Sequence, residues 1–350
     1  MRSAVGVPPG SLVMTGSSKR AARRRSCVVF PQPSIPSKVM NMRARCYTFL
    51  TLLFLAIPLH AAPQRITVGS HSLLVSLPRS YDTGDQRYPV VYLTDGETQL
   101  EHTAATATAL SDVQRMPEVI VVGVLHNDRA RELADPKLIT WFETELIPAI
   151  DKRYRTHPYR VFAGHSLGAV FGLNMLFTRP QLFNAWIIVS PPAKEALLRR
   201  AREFMRRNPD ARPMLWLMVG GDDDADLQVG VTALGAILPS KPLVFANDDH
   251  LTVPIIGNNF ALRRIFLSWF FRIVDEDDPE TLYPNVLRHY EWLTRDYGFE
   301  VPVPAGRYER IARRLVDCGY TGQAISVLEE AVERYPGSQR LREALAAARR

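Results

Sequence analysis

Short, unbroken apolar runs alternate with helical stretches through most of the chain, and this alternation limits the fold more than any other sequence feature. Two runs at 66–68 and 73–77, split by a polar turn, are typical of a β-hairpin. Apolar spacing over 138–150 and 258–273 predicts helices. Further strand-like runs lie at 89–94, 118–125, 160–163, 185–189, 214–219 and 243–246. Unbroken apolar strands separated by helices predict an α/β fold, with a mostly parallel central sheet covered by helices on both faces.

The first 61 residues have the pattern of a leader. Arg43 and Arg45 precede an apolar run at 47–59, and the small residues Ala61 and Ala62 follow it. A charged start, a short apolar middle and small residues at the end predict a secretory signal peptide at 40–61. The alternative is an uncleaved membrane anchor, but a bilayer span needs roughly 20 apolar residues. We therefore expect export to the periplasm or the medium, with no stable membrane anchor. Residues 1–39 are interpreted as a disordered extension or a wrongly assigned start.

The basic charge of the chain is concentrated in that leader. The formal net charge is +7, yet nine of the 43 basic residues and none of the 36 acidic ones precede residue 62. The remainder is close to neutral, which argues against nucleic acid as a partner. Only Cys318 lies beyond the leader, so neither an intramolecular disulfide nor a cysteine metal site is expected.

The composition changes at residue 274, where an acidic segment is followed by a wholly helical tail. Small residues recur where two helices would touch, at Ala312, Gly319, Ala324 and Ala331. This spacing resembles one tetratricopeptide (TPR) unit, which cannot bury its apolar face alone. We predict an α/β domain at 62–273 and a TPR-like helical extension at 274–350, which either covers the domain or contacts a protein partner.

The segment Gly164-His165-Ser166-Leu167-Gly168 fits the pattern G-x-S-x-G between a predicted strand and a predicted helix. That is the strand–turn–helix context of a nucleophile elbow. A Cβ two residues either side of the serine would strike the neighbouring strand or helix, which explains the glycines. The amide dipoles of the following helix would stabilise negative charge near the serine. Ser166 is therefore the predicted nucleophile.

A serine hydroxyl needs a base to take its proton. His250 follows the last predicted strand, and the order serine, acid, histidine is that of α/β-hydrolases. His165 adjoins the serine, but side chains one apart on such a turn diverge. His250 is therefore the predicted base.

The acid that orients the base is expected at the end of the preceding strand, where three aspartates follow Gly220-Gly221. We favour Asp223, with Asp222 and Asp224 as alternatives. Asp248 or Asp249, in the histidine loop, could serve instead.

With these residues in place, the chain resembles the esterase D group of α/β-hydrolases, which includes S-formylglutathione hydrolases, siderophore esterases and mycolyltransferases. The similar stretches are 88–96 (YPVVYLTDG), 127–129 (NDR), 146–148 (LIP), 164–168 (GHSLG), 190–191 (SP) and 249–250 (DH). In such families the acid follows a Gly-x-x-acid pattern, which read from Gly220 also falls on Asp223. Ala169 stands where a second glycine is usual, and Thr252 where serine is common.

The resemblance also implies further site residues. It implies an oxyanion hole from the backbone N–H of Leu167 and of Gly96 or Glu97. Arg129 follows the carboxyl end of a predicted strand, where open α/β sheets place ligands, so it is expected to bind substrate, with Glu97 nearby. Because an exposed arginine is as often merely solvated, that role stays open.

These features predict an exported serine esterase that cleaves carboxylic esters through Ser166, His250 and Asp223 and an acyl-enzyme. A small-molecule ester is the expected substrate, siderophore esters being one class compatible with the resemblance, and no metal or organic cofactor is expected. An acyltransferase would use the same residues. A binding scaffold acting through the helical tail, with an idle site, is the remaining alternative.

Overall fold

The structure is a computed structural model that describes residues 62–274 and 277–350. The predicted extension at 1–39 and the predicted signal peptide at 40–61 lie outside these residues. No helix in the described ranges is long and apolar enough to cross a bilayer.

Eight strands form one sheet in the order β1-β2-β4-β3-β5-β6-β7-β8. Their bounds are β1 Gln64–Val68, β2 His71–Ser76, β3 Tyr88–Leu93, β4 Ile120–Val124, β5 Thr156–His165, β6 Ala185–Val189, β7 Met214–Gly220 and β8 Leu243–Phe245. The β1–β2 hairpin is antiparallel, and β2 also pairs antiparallel with β4. Every other pairing is parallel. The predicted hairpin and the mostly parallel sheet are confirmed.

Helices cover both faces of this sheet. Their bounds are α1 Gly96–Asp112, α2 Arg129–Ala134, α3 Lys137–Trp141, α4 Ile147–Arg153, α5 Leu167–Thr178, α6 Glu195–Arg207, α7 Ala225–Ile237, α8 Val253–Ile265, α9 Pro279–Tyr297, α10 Ala305–Asp317, α11 Thr321–Arg334 and α12 Gln339–Ala348. A π-helical turn at Phe142–Leu146 joins α3 to α4, so the predicted helix at 138–150 is helical throughout.

Alternate residues of the central strands point to two different apolar clusters. Val91 and Leu93 of β3 join α1, α8 and the C-terminal helices, whereas Val90 and Tyr92 join the helices of the opposite face. Burial on both faces explains why these strands lack polar residues. The predicted fold class, an α/β sheet with C-terminal helices, is therefore confirmed.

The C-terminal helices share the apolar cluster of the first sheet face. The ring of Tyr297 lies 5.1 Å from that of Tyr159 and 5.6 Å from that of Phe266, measured between centroids. Its hydroxyl donates a hydrogen bond to the Ile265 carbonyl at 3.2 Å. Arg307, only 2% exposed, donates from Nη1 to the Phe271 carbonyl at 2.8 Å. The tail is thus packed onto the sheet domain.

One predicted helix, at 258–273, was wrong in its bounds. Helix α8 begins at Val253 and ends at Ile265, and a short 3₁₀ turn at Leu267–Trp269 follows. Pro254 lies in the first turn of α8, where its fixed φ favours helix initiation. The apolar residues after Ile265 belong to an irregular segment against the tail, and they extended the apparent helical pattern.

Candidate active site

Ser166 occupies a sharp turn between β5 and α5. Its backbone has φ 57° and ψ −119°, a conformation that non-glycine residues rarely adopt. The Ser166 N–H donates to the Val189 carbonyl at 2.9 Å, and its carbonyl accepts from the Val170 N–H at 3.1 Å. The turn is therefore fixed between the neighbouring strand β6 and the first turn of α5.

The two glycines of the G-x-S-x-G segment make close approaches that a side chain would block. A Cβ on Gly164 would lie 2.4 Å from the Gly168 carbonyl oxygen. A Cβ on Gly168 would lie 2.1 Å from Oγ1 of Thr94 and 3.0 Å from Oδ2 of Asp95. The elbow thus packs directly against the end of β3.

His250 lies in the turn between β8 and α8, and its ring contacts Asp223. The distance from His250 Nδ1 to Asp223 Oδ1 is 2.8 Å. The Asp223 side chain is 0% exposed, whereas that of His250 is 35% exposed. Asp223 Oδ2 accepts hydrogen bonds from Ser190 Oγ at 2.5 Å and from the Gly220 N–H at 3.1 Å. Both carboxylate oxygens are therefore satisfied, and one of them holds the imidazole.

The four other aspartates considered from the sequence have different surroundings. The Asp222 N–H donates to the Asp248 carbonyl, and Asp224 is the N-cap residue of α7. The exposed Asp249 carboxylate accepts the backbone N–H groups of Thr252 and Leu251, which lower its pKa. Among the described residues, Asp223 is the acid that hydrogen-bonds to His250.

The imidazole of His165 packs beside that of His250. Their ring centroids are 4.5 Å apart with planes tilted by 48°. Burial and then the neighbouring His250 lower the pKa of His165 to about 4. Within the described residues no hydrogen bond joins the Ser166 hydroxyl to His250. Such bonds are often long in enzymes without substrate, and both residues lie at the carboxyl edge of the sheet.

The backbone N–H groups of Leu167 and Gly96 are the first of α5 and α1. In the part of the chain that the structure describes, neither donates to another backbone group. A Cβ on Gly96 would lie 2.7 Å from the Gly123 carbonyl carbon, so α1 begins in close contact with β4. Because β3 and β5 are parallel neighbours, the two helices that follow them begin at the same edge. Two unused N–H donors at such helix starts can stabilise negative charge that develops on a substrate oxygen.

Arg129 and Glu97 are already engaged with other groups of the protein. Arg129 forms an ion pair through Nε with Asp95 Oδ1, and its Nη2 lies 3.0 Å from Asp95 Oδ2. That hydrogen bonding raises the pKa of the guanidinium. The Glu97 carboxylate accepts the His126 N–H at 2.7 Å. Each side chain therefore already has a protein partner, which is not expected of a side chain whose main role is to bind substrate.

Sequence reasoning missed three residues that support this arrangement. Ser190 was noted only within a similar stretch, although it hydrogen-bonds to Asp223. Asp95 forms an ion pair with Arg129, and the ring of His126 pairs with Glu132 at 2.8 Å. The available signal was their position within two residues of the ends of strands β6, β3 and β4. No group of three or more His, Cys, Asp or Glu side chains in the described ranges could hold a metal ion.

A sheet of this topology, with a serine on a strained strand–turn–helix elbow and a histidine–aspartate pair at the same edge, defines the α/β-hydrolase class. Residues 67–236 match the family model described as "Putative esterase". Over this segment the chain is similar to that esterase family, and it is a carboxylic ester hydrolase. The resemblance drawn from the sequence is confirmed at this level.

Solved structures agree with the fold. An IroE-like serine hydrolase from Shewanella oneidensis matches with a TM-score of 0.63 at 21% identity, over 78% of this chain and 99% of that chain. The siderophore hydrolase EstB from Aspergillus nidulans matches at 0.52 and 19%, over 62% and 99%. The enterobactin esterase FES from Shigella flexneri matches at 0.51 and 19%, over 62% of each chain. No curated protein sequence matches significantly.

Proposed function

We propose that the chain is a serine esterase in which Ser166 is the nucleophile, His250 the base and Asp223 the acid that orients the imidazole. The hydrogen bond between His250 Nδ1 and the buried Asp223 carboxylate carries this proposal. It fixes the tautomer that leaves Nε2 free to take a proton from a serine hydroxyl. The strained elbow supports it further, because that turn exposes Oγ at the edge of the sheet.

The reaction proceeds in two halves. Ser166 Oγ bonds to the ester carbonyl carbon while its proton passes to His250 Nε2, and the carbonyl oxygen becomes an oxyanion held by the N–H groups of Leu167 and Gly96. The ester C–O bond then breaks, and the leaving alkoxide takes the proton from His250. Water next attacks the acyl-enzyme, again giving a proton to His250. Collapse of the second tetrahedral intermediate returns that proton to Ser166 and releases the acid.

Siderophore-type esters are the substrate class that we propose. Support comes from fold neighbours that are named as siderophore hydrolase and enterobactin esterase. A signal peptide at 40–61 would carry the protein out of the cytoplasm. The TPR-like tail, 274–350, is proposed to stabilise the sheet domain by packing on it, and a protein partner on its outer face stays a prediction.

Hydrolysis of p-nitrophenyl esters by the mature chain, 62–350, tests the assignment. Ser166→Ala is expected to abolish turnover and labelling by a fluorophosphonate probe, while the melting temperature stays close to that of the wild type. Ser326→Ala, in α11, is the matched control and is expected to leave both unchanged. Undiminished turnover in Ser166→Ala contradicts the nucleophile assignment, and a wild-type chain that resists the probe favours the idle scaffold.

A second experiment addresses substrate and acceptor. Aryl, thio- and catecholate esters are compared as substrates, and products are analysed with candidate alcohols added. Preferential cleavage of catecholate esters to free acids supports a siderophore esterase. Transfer of the acyl group to an added alcohol in place of water identifies the acyltransferase alternative.

A further inference from the structure

Arg129 connects the two backbone segments that flank the proposed oxyanion hole. It is the first residue of α2, and its Nη2 donates to Asp95 Oδ2 at 3.0 Å and to the His165 carbonyl at 3.2 Å. Asp95 immediately precedes Gly96, and His165 immediately precedes Ser166. One guanidinium therefore links the segment that carries one hole donor to the segment that carries the nucleophile and the other donor.

Asp95 has a backbone conformation that needs such support. Its φ of 58° and ψ of 46° lie in the left-handed region, which few residues other than glycine adopt. Its carbonyl accepts the N–H groups of Thr98 and Gln99 at 3.0 and 2.9 Å, so it forms the first turn of α1. Its Oδ2 also lies 3.0 Å from where a Cβ on Gly168 would be. The Asp95 carboxylate thus lies between the starts of α1 and α5.

The turn that carries Arg129 is itself held by several hydrogen bonds. Glu132 Oε1 accepts the N–H groups of Asn127 and Asp128, each at 3.1 Å. Glu132 Oε2 pairs with His126 Nδ1 at 2.8 Å, and the His126 side chain is only 2% exposed. The turn from β4 into α2 is therefore fixed by hydrogen bonds on both oxygens of one carboxylate. A guanidinium on this support can define the position of what it contacts.

We propose that Arg129 is a positioning residue that holds the two halves of the oxyanion hole in register and neutralises the Asp95 carboxylate beside it. The proposal rests on the proposed function, since it assigns a role within that site. The Asp95 side chain is 9% exposed, so its charge is poorly screened by water. Without Arg129, that negative charge would oppose the oxyanion formed at the N–H groups of Gly96 and Leu167.

This role differs from the direct binding of substrate by Arg129. A substrate-binding cation would act mainly on the affinity for anionic esters. A positioning residue acts on the transition state of every ester, so its loss lowers kcat for neutral and anionic substrates alike. Neutral and anionic p-nitrophenyl esters therefore distinguish the two roles.

The experiment compares Arg129→Gln, Asp95→Asn and the double variant with the wild-type chain. Asparagine tolerates the left-handed conformation, so Asp95→Asn removes the charge while keeping the turn. Arg129→Gln is expected to lower kcat about 10- to 100-fold for both kinds of ester with KM changed less than about threefold. The double variant is expected to recover part of the kcat lost in Arg129→Gln, because the unpaired carboxylate is gone. It is expected to stay below Asp95→Asn, which keeps the hydrogen bond from Arg129 to the His165 carbonyl. Arg131→Gln, an exposed arginine two residues away, is the matched control and should behave as wild type.

Other results would overturn the proposal. An unchanged kcat in Arg129→Gln with KM raised only for anionic esters assigns Arg129 to substrate binding instead, while Ser166-dependent turnover still supports the esterase. Additive effects of the two substitutions on urea unfolding deny the coupling of Arg129 and Asp95, and this measurement needs no activity. A wild-type chain without Ser166-dependent labelling or turnover overturns both proposals together.

Discussion

Asp223 Oδ2 lies 2.5 Å from Ser190 Oγ, and both side chains belong to fully or nearly fully buried residues. Ser190 directly follows β6, and Asp223 lies in the turn after β7. The bond therefore joins the ends of two neighbouring strands at the edge where Ser166 also lies. It leaves the other carboxylate oxygen, Oδ1, for His250. The acid is thus oriented from the strand beside the nucleophile.

We predict that Ser190→Ala weakens catalysis and stability together. The substitution removes a donor to a buried carboxylate, which costs about 2 kcal/mol for a hydrogen bond to a charged group. We expect kcat to fall about tenfold, measured on a p-nitrophenyl ester, with a lower melting temperature. Ser76→Ala, at another buried serine, is the control and should keep kcat. Wild-type kcat in Ser190→Ala would show that Gly220 and His250 alone suffice to orient Asp223.

Substitution of each of the three adjacent aspartates in turn tests which carboxylate orients His250. Asp223→Asn keeps the shape of the side chain but favours the wrong imidazole tautomer, so we expect a loss of about 10³- to 10⁴-fold in kcat. Asp222→Asn and Asp224→Asn should retain kcat within about threefold, because neither side chain contacts His250 in the described structure. Steady-state kinetics of the three variants checks this. A larger loss in either neighbour than in Asp223→Asn contradicts the proposed acid.

The contact of the elbow with β3 predicts that Gly168→Ala is poorly tolerated. The added Cβ would lie 2.1 Å from Thr94 Oγ1, so α5 or the end of β3 must shift. We expect a loss of about 3 kcal/mol in unfolding free energy and little residual turnover. Gly306→Ala, in α10, has no atom within 4 Å of its added Cβ and should raise stability by about 0.5 kcal/mol. Urea unfolding of both variants checks the contrast, and equal stability would contradict the close packing.

Stability is expected to fall as the pH drops from about 6.5 to about 4. Burial and then Arg87 lower the pKa of His157 to about 4 from 6.5. The unfolded chain therefore binds a proton that the folded chain excludes in this window, so stability present at neutral pH is lost on acidification. His157→Phe keeps an aromatic ring against Phe299, whose centroid lies 3.8 Å from that of His157. The variant should lose less of its melting temperature between about pH 7 and about pH 5 than the wild type. A parallel decline in both chains contradicts this assignment, because only the wild type carries this titrating ring.

Removal of the C-terminal helices is expected to destabilise the sheet domain. Tyr297 and the helices after it cover Tyr159 and Phe266, which belong to the cluster on one sheet face. Truncation after residue 273 exposes these rings to water, at a cost of roughly 25 cal/mol per Å² of apolar surface. We expect the fragment 62–273 to lack a cooperative thermal transition that 62–350 shows by circular dichroism. A sharp transition in the fragment would show that the sheet domain folds without the C-terminal helices and would contradict this prediction.

Much of the fold was predictable because the central strands are buried on both faces. The strand Ala185–Val189 was predicted with its observed bounds, because a strand buried on both faces has no polar residues that interrupt its apolar run. Helix α1 was not predicted, because its alanines and threonines give no clear apolar stripe. The start of α8 was missed because Ile255 and Ile256 are exposed, which obscures the helical period.

Some features of the site were predictable from the sequence, and others were not. Ser166 and His250 are marked by a motif and by chain order, which the sequence displays directly. The pairing of Arg129 with Asp95 and of Ser190 with Asp223 depends on which strands become neighbours. Strand order is set by long-range packing, so these contacts emerge only from the folded chain.

The three proposed catalytic residues, Ser166, His250 and Asp223, differ in how firmly the surrounding structure holds them. Ser166 follows a long central strand and Asp223 is wholly buried, whereas His250 follows the three-residue edge strand β8, and Leu251 beside it is 77% exposed. Amino-acid replacements around residue 250 therefore disturb few neighbours. Over evolutionary time, substitutions in the loop around His250 can therefore change turnover or the choice of acyl acceptor while the buried core stays the same.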